Sequence, residues 1–220
     1  MSRIQLEPAY ILHSRSFRET SLIVEALTRE HGRIAVVARG VKSPRSRWRN
    51  VLQPFRPLLL SWNQKSDLGT LTAADQVASP PALQGQALFC GLYLNELLIR
   101  LLHRGDPHAE VFERYRHVLS ELAADTTVQP LLRIFEKHLL EATGYAMLLD
   151  REYDSGADIQ PQGWYDYQPM RGPKRCAGPG KNRVSGAALL ALHAEILDAD
   201  NLPELRMMMR SVIGLSLIHI

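Results

Sequence analysis

At Ser79-Pro80-Pro81 the chain changes its hydrophobic period, and that change governs what it can fold into. Consecutive prolines remove backbone donors and fix φ, so regular structure is punctuated there. Before them lie five short apolar runs: Ala9-Tyr-Ile-Leu-His13, Ser21-Leu-Ile-Val-Glu-Ala-Leu27, Arg33-Ile-Ala-Val-Val-Ala38, Pro57-Leu-Leu-Leu-Ser-Trp62 and Gly69-Thr-Leu-Thr-Ala73. They are rich in aliphatic and β-branched residues, and turn chemistry separates them, His31-Gly32 marking a tight connection. Five such strands in about eighty residues suit a small closed barrel, which leaves no sheet edge exposed. The alternation is imperfect, as expected where both strand faces are partly covered.

Beyond the prolines the period becomes helical. Leu83–Leu102 carries apolar side chains on nearly every face, including Leu88, Phe89, Leu92, Leu94 and Leu98, which predicts a central, buried helix. Asp106-Pro107 predicts an N-cap and first turn, followed by the stripe Val111, Phe112, Tyr115, Val118, Leu119 and Leu122. A third helix is expected after Pro130, ending before Gly144. Residues 150–183 are broken repeatedly by Gly and Pro around Trp164-Tyr-Asp-Tyr167 and read as loops with a small hairpin. Two helices close the chain, Gly186–Leu197 and one from Asn201, where Asn201 and Glu204 have capping-box spacing. The expected class is α+β: a five-stranded barrel domain over 1–80, then an α-helical bundle domain over 81–220 with an irregular 150–183.

Charge is distributed unevenly. Between Glu30 and Asp67 there is no acidic residue but eight basic ones: Arg33, Arg39, Lys42, Arg45, Arg47, Arg49, Arg56 and Lys65. Residues 1–80 hold 12 Lys+Arg against 6 Asp+Glu, and the remainder 14 against 17, so the net +3 conceals a basic first part and a slightly acidic second. Cations displace counterions from phosphates, and an aromatic such as Trp48 can stack on an unpaired base. The basic stretch is therefore read as a nucleic-acid site, with a solvated basic face as the alternative. For Trp48 the alternative is a packed aromatic at the barrel rim.

Several function classes lose support. Gly40-Val-Lys42-Ser43 lacks the cradle glycines of a phosphate-binding loop, and no G-x-S-x-G, H-E-x-x-H or G-x-G-x-x-G occurs. The eight histidines are scattered singly, and Asp150, Asp154 and Asp158 lack EF-hand spacing. Cys90 and Cys176 form no C-x-x-C pair, so no structural zinc is expected. The N-terminus has no signal-peptide h-region, and the apolar stretch Leu92–Leu102 is interrupted by Asn95, Glu96 and Arg100. A soluble cytoplasmic protein that binds nucleic acid, engages no membrane, needs no cofactor and is not an enzyme is the expectation. The rivals are an RNA-binding accessory factor and a nuclease or nucleotidyl transferase that uses the barrel as a clamp.

Beyond these readings, particular stretches resemble the RecO recombination-mediator family of bacteria: Ala9-Tyr-Ile-Leu-His-Ser-Arg15, Glu19-Thr-Ser-Leu22, Ala38-Arg-Gly-Val-Lys-Ser43, Leu52-Gln-Pro-Phe55, Tyr93-Leu-Asn-Glu-Leu97, and Leu132-Arg-Ile-Phe-Glu136 leading to Gly144-Tyr145. The likeness runs from about residue 8 to 210. It implies an oligonucleotide-binding (OB) barrel, a helical domain, and a nucleoid-associated role in recombinational repair. It further implies binding of single- and double-stranded DNA, strand annealing, docking on the C-terminal tail of the single-stranded DNA-binding protein SSB, and work with RecR to load RecA. On the charge map the DNA-binding residues are Arg33, Arg39, Lys42, Arg45, Arg47, Trp48, Arg49 and Arg56. Arg133 is the tail-binding residue that the resemblance implies; Lys137, one turn on, and the apolar Leu132 and Phe135 extend that site, with pairing of Arg133 to Glu136 or Glu141 on an exposed helix as the alternative. Many family members carry four cysteines around a zinc where this chain has only Cys176, and the likeness is to the metal-free branch. The apolar Leu215–Ile220 replaces the family's basic tail, which suggests a truncated or foreign end.

Overall fold

The apolar runs before Ser79 become strands β1 (Ser2–Phe17), β2 (Ser21–Thr28), β3 (Gly32–Ala38), β4 (Leu58–Gln64) and β5 (Leu68–Gln76). A computed structural model describes residues 2–124 and 127–216, with side chains to position 214. In it these strands close into a barrel in the order β1-β2-β3-β5-β4. All pairings are antiparallel except β3 with β5. Alternate residues point inward, so Val24 and Ala26, Ile34, Val36 and Ala38, and Leu58, Leu60 and Trp62 meet in one buried cluster. The fold is α+β, and the chain divides into two compact units, Met1–Thr126 and Thr127–Ile220.

β1 serves two partners. Its first half pairs with β4 and its second with β2, and irregularities between Ile4 and Glu7 and between Ile11 and His13 let it bend around the barrel. At the second of these, the Leu12 carbonyl accepts a hydrogen bond from Asn95 Nδ2 at 3.0 Å. Asn95 Oδ1 in turn accepts from the Tyr115 hydroxyl at 2.5 Å. Both side chains are buried; burial, then the neighbouring Tyr10, pushes the Tyr115 hydroxyl well above its usual range, which keeps it a donor. Tyr10 packs against the Phe112 and Tyr115 rings at centroid distances of 5.5 and 5.3 Å. β2 is accordingly buried along almost its whole length, and this blurs its alternation.

Asn95 belongs to α1 (Gly85–Leu101) and Tyr115 to α2 (Ala109–Ala123), so both helices lie in the same compact unit as the barrel. Two expectations are corrected here. First, α1 is not buried all round: Leu88, Phe89 and Leu92 are 37%, 70% and 44% exposed, while its inner side carries Leu94, Asn95, Leu97 and Leu98. Second, Asp106 caps no helix, because α2 starts at Ala109 after His108. Residues 104–106 instead run beside β3, with the Gly105 N–H donating to the Arg33 carbonyl at 2.9 Å. Gly32 has a φ of +63°, and a Cβ on it would lie 1.9 Å from the Asp106 carbonyl oxygen, so only glycine fits that turn.

The second unit holds α3 (Val128–Ala142), β6 (Trp164–Gln168), β7 (Gly172–Cys176), β8 (Arg183–Ser185), α4 (Gly186–Ala194) and α5 (Leu202–Ser216). The hairpin expected around Trp164 gains a third strand, in the order β7-β6-β8. α3 begins before Pro130, which its first turn tolerates because the missing N–H has no helical partner there. α4 ends three residues short of Leu197, at Ala194, because Glu195 turns left-handed at φ 60°. Glu204 does not complete a capping box with Asn201; its carboxylate accepts from the Ser185 N–H at 2.7 Å. Leu132, Phe135, Leu139, Tyr165, Leu189, Leu205 and Met209 are buried in this unit. The apolar end Leu215–Ile220 lies outside the residues whose side chains are described. Among the described residues no helix is long and apolar enough to cross a membrane.

Asn95→Ala should strand two buried partners and lower stability by about 2–4 kcal/mol, and Tyr115→Phe by about 1–2 kcal/mol. Urea denaturation of both and of the double variant checks this; additive losses would mean that the two bonds are not coupled.

Candidate nucleic-acid interface

The acid-free basic stretch forms the connection from β3 to β4, and it is a packed structure. Val41, Leu52 and Phe55 are buried, Val41 and Leu52 within the barrel's core cluster, and Trp48 and Val51 pack on that cluster. Between these anchors the backbone folds in successive turns: Ser43 N–H to Gly40 O at 3.2 Å, Ser46 to Ser43 at 3.0 Å, Arg49 to Ser46 at 3.3 Å, and Leu52 to Trp48 at 3.0 Å. The apolar anchors thus fix the loop while its charged side chains face solvent. Arg39, Lys42, Arg45, Arg47 and Arg49 are all exposed, and none makes an ion pair among the described residues. Arg56 is held by the amide oxygens of Gln76 (2.6 Å) and Gln53 (3.3 Å), which orient its charge without neutralising it.

Trp48 is half-buried on the barrel core, and the Arg47 guanidinium lies over its ring, 5.6 Å from the centroid. Arg33, on β3, stands apart from the loop's cations. Its guanidinium pairs with Glu25 at 2.9 Å and donates to the Leu102 carbonyl at 2.9 Å, and Arg104 pairs with the same carboxylate. Arg33 therefore ties the barrel to the end of α1, and its guanidinium is committed to that contact.

Charge counting alone misses Arg18, which sits in the β1–β2 turn and lies outside the acid-free window. Its carbonyl accepts from Lys42 Nζ at 3.3 Å, and its own guanidinium covers the Phe17 ring at 5.2 Å. The Phe17-Arg18 dipeptide, where β1 passes into its turn beside the basic loop, is the available signal.

On α3 the arrangement differs from the expected pocket beside a cation. Leu132 and Phe135 are buried. Arg133 pairs with Glu136 at 2.6 Å, and both side chains are at most 6% exposed, so the pair is real but buried, whereas the alternative placed it on an exposed helix. Lys137 donates to Glu195 at 2.7 Å and to the His193 carbonyl at 3.2 Å, while His138 approaches the same Glu195 oxygen at 2.7 Å. Burial raises the Glu195 pKa, but the Lys137 hydrogen bond and the His138 and Lys137 charges outweigh it and hold the group below its ordinary value. Among the described residues no three His, Cys, Asp or Glu side chains gather as metal ligands would.

Comparison with known proteins places these features in a family. Residues 1–80 match the model described as recombination protein O N terminal, and residues 82–210 match recombination protein O C terminal. The chain is 48% identical to the DNA repair protein RecO of Nitrosospira multiformis over 87% of its own length and 80% of the relative's. It is 44% identical to that of Thiobacillus denitrificans, over 97% and 87%, and 43% identical to that of Polynucleobacter asymbioticus, over 98% and 91%.

Arg133→Ala should remove the buried Arg133–Glu136 ion pair and cost about 3–5 kcal/mol in urea denaturation; a loss below about 1 kcal/mol would show the pair to be dispensable. Because the Glu195 pKa is lowered on folding, its contribution is present above the usual carboxylate range and is lost as pH falls through the folded value. Glu195→Gln should therefore flatten the acid limb of the stability–pH profile, and an unchanged limb would contradict the cluster's role.

Proposed function

The chain belongs to the RecO family of DNA repair proteins, and on that premise we propose that it is a non-enzymatic recombination mediator. It binds single- and double-stranded DNA, anneals complementary strands, and with RecR helps to load RecA on DNA coated by SSB. Residues 1–80 carry the DNA and residues 81–220 the partner contacts, in the cytoplasm and without a metal. One observation supports the reading above others: five exposed cations with no ion-pair partner among the described residues are held on the barrel by buried Val41 and Leu52. A rigid cationic surface of this kind releases counterions from phosphates without first breaking internal ion pairs.

The DNA contacts are assigned to Arg39, Lys42, Arg45, Arg47, Arg49 and Arg56, with Trp48 beside them. Arg33 is left out because Glu25 holds it. The SSB tail is assigned to α3 at Arg133, Lys137, Leu132 and Phe135, and its carboxylate must displace Glu136 or Glu195 to bind there.

Binding to single strands should weaken with a log–log salt slope of about −3 to −4 if about five phosphates are neutralised. Replacing Arg45, Arg47 and Arg49 together by Ala should lower the slope's magnitude by about two units. Fluorescence anisotropy across a salt series measures it, and an unchanged slope in the triple variant would move the DNA site elsewhere.

A further inference from the structure

Beside the basic loop the barrel carries a groove of about 730 Å³, lined by Phe17 at the end of β1, Arg18 and Glu19 of the β1–β2 turn, Val37 and Arg39 from β3 and its end, and Thr70 of β5. Its floor is the outer surface of the parallel pair, where Val37 stands in register with Thr70. The Lys42 bond to the Arg18 carbonyl ties one wall to the loop, so the groove is continuous with the cations assigned to phosphates. The Arg18 guanidinium carbon lies over the Phe17 ring, 5.2 Å from its centroid, and a guanidinium and a ring can each receive the face of a base.

Glu19 is the sole acid in that lining and is exposed. Among the described residues no ion pair or hydrogen bond holds its carboxylate, although Arg18 and Arg39 line the same groove. A carboxylate repels phosphate, so a path for the DNA backbone gains nothing from it. It is, however, a good acceptor for the exocyclic amino group of cytosine, and thymine has no such group.

We propose that this groove is a slot for unpaired bases: Phe17 and Arg18 stack on them, and Glu19 accepts from their amino edges. The inference rests on the DNA-binding reading and adds to it. A duplex keeps its bases inside the stack, so the groove favours single strands, while the loop's cations serve both forms. Amino-bearing bases are favoured over thymine within single strands.

The test is anisotropy at one salt concentration with oligo-dC, oligo-dT and a duplex of equal length. Wild-type protein should bind oligo-dC about threefold or more tighter than oligo-dT, and Glu19→Ala should bring the two together. If Glu19 acted only through its charge, the variant would strengthen both equally and keep their ratio, which would overturn its role. Val37→Trp, which fills the groove, should weaken both single strands about tenfold and leave the duplex within about twofold. Because a tryptophan there can disturb the barrel, Phe17→Ala at the turn is the parallel variant, with a loss of about fivefold confined to single strands. Equal effects on single strands and duplex, or none, would overturn the slot while leaving the DNA-binding reading intact. Wild-type protein that binds no DNA would overturn that reading, and the slot with it.

Discussion

The side-chain amide of Asn95 joins the strands and the helices of the first unit. A strand that must pair with two neighbours around a closed barrel has to bend, and β1 bends through an irregularity next to Leu12. The bend leaves a carbonyl without a ladder partner in a buried setting, where an unpaired acceptor is costly. Asn95 donates to it from α1, and Tyr115 satisfies the remaining amide oxygen from α2. The bend in β1, the seating of α1 and the seating of α2 are therefore one set of mutually dependent choices. Phe55, at the end of the basic loop, extends that dependence: a Cβ on Gly91 of α1 would lie 2.9 Å from its ring, so the helix also holds the loop's exit.

The chain's cations fall into two populations. Arg33 and Arg104 share Glu25, Arg133 pairs with Glu136, and Lys137 with Glu195. Where these side chains are buried, their partners offset a desolvation penalty that neither ion alone could bear. The cations between Arg39 and Arg49 have no such partners among the described residues and stay in water, where a polyanion can reach them. This division separates ion-paired cations from unpaired ones more sharply than net charge does, because a net +3 carries no record of which ions are already spoken for.

Much of this is legible in the sequence. All five strands lie where β-branched and aliphatic runs alternate with turn residues, and the α2 stripe Val111, Phe112, Tyr115, Val118, Leu119 and Leu122 is buried as its spacing implies. What was not legible depended on contacts distant in sequence. Asp106 has the composition of a cap, but its segment runs beside β3, close against Gly32, and α2 begins only at Ala109. Glu204 has the spacing of a capping box, but the Ser185 N–H claims its carboxylate. Phe89 lies in a run apolar enough to read as buried, yet it is 70% exposed. Arg33 looks equivalent to Arg45 in a charge count, and only the fold sets Glu25 beside one of them. Local chemistry proposes caps and charges, and the fold decides which of them find partners.

In the proposed function, a barrel with a fixed, uncompensated cationic loop brings two nucleic-acid strands together without catalysing any covalent change. Annealing of complementary oligonucleotides, followed by fluorescence energy transfer with and without an SSB coat, tests this most directly. The purified protein should accelerate pairing over the spontaneous rate in both cases, and the acceleration should fade as salt rises and the phosphate contacts are screened. DNA binding with no acceleration of pairing, or acceleration indifferent to salt, would contradict it.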